Sequence, residues 1–146
     1  METRRTLGVN ELGEFGAIGQ APGRDPVADL AATGAAYAAS ASRSPEFYAL
    51  MFDGSLPLPD EAAADGALGH LVAAVQRCVD SGRFVSSLDA VGFAHEVWLF
   101  GHGACMLFVT GVMPFEMVEP LMRSGLARLY SAAGEDPERA GRSVAD

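Results

Sequence analysis

The sequence contains no lysine: its 10 basic residues are all arginine, against 19 acidic ones, for a formal net charge of −9. The densest basic window is the pair Arg4-Arg5. A chain this acidic, without a basic stripe, lacks the charge that neutralises phosphates, so direct nucleic-acid binding by this chain alone is not expected. The absence of lysine also removes the phosphate-cradling Gly-x-x-x-x-Gly-Lys-Ser/Thr loop. Cysteine is scarce: Cys78 and Cys105 are the only two, both in apolar, helical surroundings. They make no disulfide scaffold and fit a reducing, cytoplasmic compartment. No continuous apolar core follows Arg4-Arg5, so the N-terminus does not read as a secretory signal. The most apolar window, Val97 to Met113, falls short of the ~20 residues that cross a bilayer and carries His102 mid-span, so no membrane is expected as a partner.

Catalytic sets are missing too. There is no Gly-x-Ser-x-Gly elbow. Of the three histidines, His95 and His102 share one helix with Glu96 and Cys105, while His70 lies on another. His95 and His102 are two turns apart, ~10 Å, too far to share one ion without a ligand between them. Cys105, one turn from His102, could pair with it as nucleophile and base, but a cysteine in an apolar helix centre is more often inert packing. We therefore expect no metal, no cofactor and no enzyme activity. Nor does any run of β-branched residues alternate with polar ones for long enough to make a strand.

What is present is helical patterning in a chain of 146 residues that is 49% hydrophobic, enough for one domain with a proper core. Leu7, Leu12, Phe15 and Ile18 fall at helical spacing among many glycines, a weak helix. Asp25 then caps a helix with Pro26 at its first position, running to about Ser42 and burying Val27, Leu30, Gly34, Tyr37 and Ala41. Ser44 caps a short helix from Pro45 to Phe52 that is dense in large groups. A third helix runs from near Asp60 to Asp80, with Leu68, Leu71, Val72, Val75 and Val79 on one face and Gly82 as its stop. Ser86 or Ser87 caps a long helix, Leu88 to about Val112, ended by Gly111 and Pro114. A last helix begins at Glu119-Pro120, since proline is tolerated in a first turn. From Gly134 the chain turns polar and reads as a disordered tail. The expected architecture is an all-α bundle of about five to six helices. Its units are a linker-helix remnant and turn (1–25), the domain (26–133) and the tail (134–146).

The long helix is apolar nearly all round. One stripe holds Val91, His95, Trp98, His102, Cys105 and Val109. A second holds Phe93, Val97, Gly101, Ala104, Phe108 and Gly111. Glycine in a helix interior costs ~1 kcal/mol relative to alanine, so glycines on both sides of His102 suggest that something packs close to this helix. For His102 alone, a satisfied core histidine is the commoner explanation and a binding role the less common one, because buried polar groups usually just find a partner. The aromatics and methionine of the short helix fit core and pocket wall equally.

Ser44-Pro45-Glu46-Phe47-Tyr48-Ala49-Leu50-Met51-Phe52 resembles the His-Pro-x-Leu-Tyr-x-Leu-Met-Phe segment of the C-terminal domains of TetR-like transcriptional regulators. Trp98-Leu99-Phe100-Gly101-His102-Gly103 resembles the Trp-x-x-x-His-Gly signature of one branch of those domains. The resemblance covers roughly Asp25 to Ala133; Ser44 stands where the family has histidine. The family's N-terminal helix-turn-helix has no counterpart in Met1 to Gln20, so its DNA-binding residues are not carried over. The resemblance implies a small-molecule-sensing domain that homodimerises through its last two long helices and regulates transcription. It implies an apolar effector lined by Tyr37, Phe47, Met51, Leu71, Val75, Trp98 and His102. It implies a dimer seam at Gly101, Ala104, Phe108, Gly111, Leu126 and Leu129. The alternative is a stand-alone ligand-binding or heterodimerising module that modulates an intact regulator.

Overall fold

A computed structural model describes residues 25–55 and 61–145, and these form six helices and no strand. They are α1 (Pro26–Arg43), α2 (Pro45–Met51), α3 (Glu61–Asp80), α4 (Ala90–Val109), α5 (Phe115–Ala132) and α6 (Pro137–Ala145). The weak N-terminal helix expected over Leu7 to Ile18 lies outside the described residues, as does most of the 1–25 segment.

Helix α1 touches each of the other five. Its alanine-rich sequence makes this possible. Ala31, Ala38, Ser40 and Ala41 are buried with Val27 and Leu30, and a Cβ at Gly34 would already sit 3.5 Å from Leu126. Small side chains bring the neighbouring helices in close, and Val27, Leu30, Val75, Cys78, Phe84, Cys105 and Tyr130 close the core around them. Asp25 caps α1 as expected, accepting hydrogen bonds from the Val27 and Ala28 amides at 3.0 Å.

Gly82 ends α3 with φ of +74°, so that the Arg83 amide reaches back to the Cys78 carbonyl and the Gly82 amide to that of Val79. This turn needs a left-handed residue, which glycine adopts without a Cβ penalty.

Several boundaries differ from the sequence reading. Ser44 makes no side-chain cap bond, because it is also the last position of α1, where its own amide bonds Ser40. The N-cap of α4 is Asp89 rather than Ser86 or Ser87, and it too caps without a side-chain bond. Helix α5 starts one turn before Pro120, because the Pro114 carbonyl accepts the Met117 and Val118 amides while Phe115 packs edge-on against Phe108 at 5.2 Å. Pro120 therefore sits inside the helix and leaves the Glu116 carbonyl without its usual donor.

The expected disordered tail is corrected: residues 137–145 form α6. The Asp136 carboxylate caps it through the Arg139 amide, Ala140 is buried, and Arg123 of α5 donates to the Val144 carbonyl at 2.8 Å. A polar helix needs little apolar surface when its amides and carbonyls find such partners.

Tyr130 is fully buried, and its hydroxyl is one of two buried side-chain polar atoms with no partner among the described residues. An unpaired buried hydroxyl costs stability, whereas a ring of the same shape does not. Tyr130→Phe should leave stability unchanged or raise it by up to about 1 kcal/mol in urea unfolding. A loss of more than about 1 kcal/mol would mean that the hydroxyl is satisfied, for instance by an internal water.

Candidate functional site

Ser44 joins α1 to α2 with no intervening loop. This sharp corner folds α2 back so that Tyr48 meets Tyr37 of α1, hydroxyl to hydroxyl, at 2.7 Å. On its other side, the Tyr48 hydroxyl lies 2.6 Å from Nδ1 of His102 on α4. The three side chains form one polar relay threaded through three helices.

The relay is walled by rings. Phe52 lies 4.3 Å from the His102 ring, and Trp98 lies 5.7 Å from His102 and 6.2 Å from Phe52. Tyr48 packs on Phe52 at 4.8 Å. Such ring pairs contribute roughly 0.5–1.5 kcal/mol each beyond area burial.

Burial sets the protonation states. It pushes the Tyr37 phenol up to about 12 and the Cys105 thiol up to about 11, and it lowers His102 from its usual value. Tyr48 is raised as well, again chiefly by burial. The whole cluster is therefore uncharged at neutral pH. Cys105 is fully buried beside Tyr48 and is a neutral thiol rather than a thiolate nucleophile. Cys78, also fully buried, is raised by burial to about 12.

Of the seven residues expected to line a pocket, Tyr37, Trp98 and His102 come together here. Phe47 and Leu71 are half-buried against the core, Met51 is buried, and Val75 has no exposed surface. The sequence reading left out Tyr48, Phe52 and Cys105. Positions 48 and 52 share the helical face turned to His102, and 47 and 51 lie on the next, about 100° of helix away. Besides exposed Glu46, Tyr48 carries the one polar side-chain group of α2, and it was the available signal.

Of the expected seam residues, only Leu126 is corrected. Leu126 is 4% exposed and packs against α1 beside Gly34, so it presents nothing to a partner. Gly101 and Ala104 lie half-buried on the stripe that runs between buried Val97 and Cys105. Phe108 packs edge-on against Phe115, Gly111 ends α4 with φ of +76°, and Leu129 packs on the core. Within the protomer, the close approach to α4 is at another glycine. A Cβ at Gly125 of α5 would overlap the Phe100 ring, with Cε1 2.8 Å away, whereas nothing lies within 4 Å of a Cβ at Gly101 or Gly103. The large apolar residues left exposed include Leu99, Phe100 and Leu107 on α4 and Met117 and Leu121 on α5, besides Val91 and Trp98 on α4 and Leu50, Val85 and Val112 elsewhere.

The model of the family described as Tetracyclin repressor-like, C-terminal domain, matches residues 30–129. The chain belongs to this family. No curated protein and no solved structure matches it. The match runs from within α1 to within α5 and so contains every member of the relay and both helices with the exposed apolar ridge. Tetracyclin repressor-like domains have regulatory rather than enzymatic roles, and they usually dimerise and bind small-molecule effectors. Among the described residues no helix is long and apolar enough to cross a membrane, and no group of three or more His, Cys, Asp or Glu could hold a metal ion.

Proposed function

We propose that this domain senses a small apolar molecule between α1, α2 and α4, forms a homodimer through α4 and α5, and works in a cytoplasmic transcriptional regulator. The observation that carries this reading is the double duty of α4. One side of the helix holds Trp98 and His102, and the far side holds Leu99, Gly103 and Leu107. A molecule packing against His102 would act on the same rigid helix that a second subunit would cover. In a complete regulator, that coupling would favour one spacing of two DNA-reading heads over another.

The exposed ridge supports the choice of partner. Monomers rarely leave a contiguous apolar ridge bare, and a two-fold axis makes one such ridge complementary to itself. Sedimentation equilibrium of the chain should give a dimer at micromolar concentration. A monomer that persists to about 100 μM, a dissociation constant weaker than roughly −5.5 kcal/mol, would sink the dimer reading.

A further inference from the structure

Resting on the sensing reading above, we infer that the effector is a neutral, flat, apolar molecule that presents a carbonyl oxygen to Nε2–H of His102. The argument starts from the single proton of Tyr48. Its hydroxyl has the Tyr37 hydroxyl at 2.7 Å and His102 Nδ1 at 2.6 Å. An unprotonated imidazole nitrogen is a much better acceptor than a phenol oxygen, so Tyr48 donates to Nδ1 and accepts from Tyr37.

The protons of the relay then run from Tyr37 through Tyr48 to Nδ1 of His102. Burial keeps the His102 ring neutral, so its one proton resides on Nε2. Nε2 makes no hydrogen bond among the described residues, and the only buried side-chain atoms left unpaired there are Arg77 Nε and Tyr130 Oη. It is an accessible donor on a half-buried ring, with its tautomer held by the relay.

The shape and charge of the occupant follow. Phe52 and Trp98 flank His102 and offer aromatic faces to a flat body. Among the described residues no arginine hydrogen-bonds to Tyr48 or His102, and the chain has no lysine. Arg83 and Arg123 are already paired with Glu135 and Glu119. A carboxylate would lose its hydration with no counter-charge, and a cation would face an N–H donor. A neutral carbonyl avoids both costs.

Three probes of matched size test this: 2-acetylnaphthalene, 2-ethylnaphthalene and 2-naphthoate, titrated calorimetrically into the full chain. The ketone should bind about ten-fold more tightly than the hydrocarbon, the worth of one hydrogen bond, and the carboxylate more weakly than either. In His102→Phe and in Tyr48→Phe, the ketone's advantage should vanish while hydrocarbon binding persists, which also reports an intact fold. Long-range proton–nitrogen NMR of the free protein should show His102 as the Nε2–H tautomer. Equal binding of ketone and hydrocarbon, a preference for naphthoate, or an Nδ1–H tautomer would overturn the inference and leave the sensing reading standing. Failure of all three probes to bind would overturn both.

Discussion

Arg83→Met should destabilise the domain by about 3–5 kcal/mol, a large share of the ~5–15 kcal/mol available to a protein of this kind. The reason is the charge left behind. Glu135 follows the left-handed Gly134 at the end of α5, and its side chain is only 2% exposed. The Arg83 guanidinium contacts it through two nitrogens, one at 2.8 Å, and donates a third hydrogen bond, at 3.1 Å, to Asp25. One residue after the α3 stop thus joins the cap of α1 to the turn between α5 and α6. Without Arg83, Glu135 keeps only the Asp136 amide as a donor. Thermal unfolding should drop by roughly 10 °C, at ~2–4 °C per kcal/mol. Arg83→Met combined with Glu135→Leu should be milder than Arg83→Met alone, because the cost lies in the unpaired charge rather than in the missing bridge. A single variant within about 1 kcal/mol of the parent would show that water reaches Glu135.

The same cluster sets an acid limit. Burial works to raise the Asp25 carboxyl, but the backbone amides and Arg83 outweigh it and hold its pKa below the usual 3.8. A folded pKa below the unfolded one gives stabilisation that is complete above the unfolded value and disappears as pH falls through the folded one. The stability gap between the parent and Asp25→Asn should therefore be constant at neutral pH and close in strong acid. Asp25 is well exposed, so that gap is small beside the loss on removing Arg83.

The helices that were legible in the sequence are those where local chemistry and burial agree. Asp25-Pro26 begins α1 and Gly82 ends α3, because a carboxylate cap and a left-handed glycine act within a few residues and need no tertiary partner. Asp136-Pro137 carries the same start signal as Asp25-Pro26, and its helix was missed because the residues after it are polar. What holds α6 is tertiary: buried Ala140 and the bond from Arg123 to the Val144 carbonyl. The start of α5 was misplaced for a related reason. Proline is disfavoured beyond a first turn, but Phe115 against Phe108 and buried Val118 stabilise the extra turn ahead of Pro120.

The site was half legible. Trp98 and His102 stand out in sequence as a ring and a polar handle one turn apart. Which residues answer them depends on how α2 rotates about its axis after Ser44, and periodicity does not set that rotation when every face of a short helix is apolar. The same limit applies to α4. Two apolar stripes were evident, but not which would face inward. Within one protomer the tight contact belongs to Gly125 beneath Phe100, and the space over Gly101 is open.

Leu121→Arg combined with Leu99→Arg should raise the dimer dissociation constant by at least about 100-fold while leaving the monomer folded. Leu99 is 65% exposed and Leu121 is 61% exposed, so in the isolated protomer each arginine keeps its charge in water. Exposed substitutions of this kind stay within about ±0.5 kcal/mol of the parent. Across a two-fold seam each change appears twice, and four like charges would lose their hydration without partners. Leu126→Arg is the contrasting variant. It places a charge beside Gly34 in the centre of the bundle and should abolish folding rather than association. Velocity sedimentation and circular dichroism separate the two cases. A double-arginine variant that remains dimeric would mean that copies meet on another face. Phe100 rests on Gly125 and is itself half outside, so it links this ridge to the core. A monomeric variant that still binds the naphthyl ketone would show that the pocket belongs to one protomer, and that the dimer serves to transmit its occupancy rather than to build it.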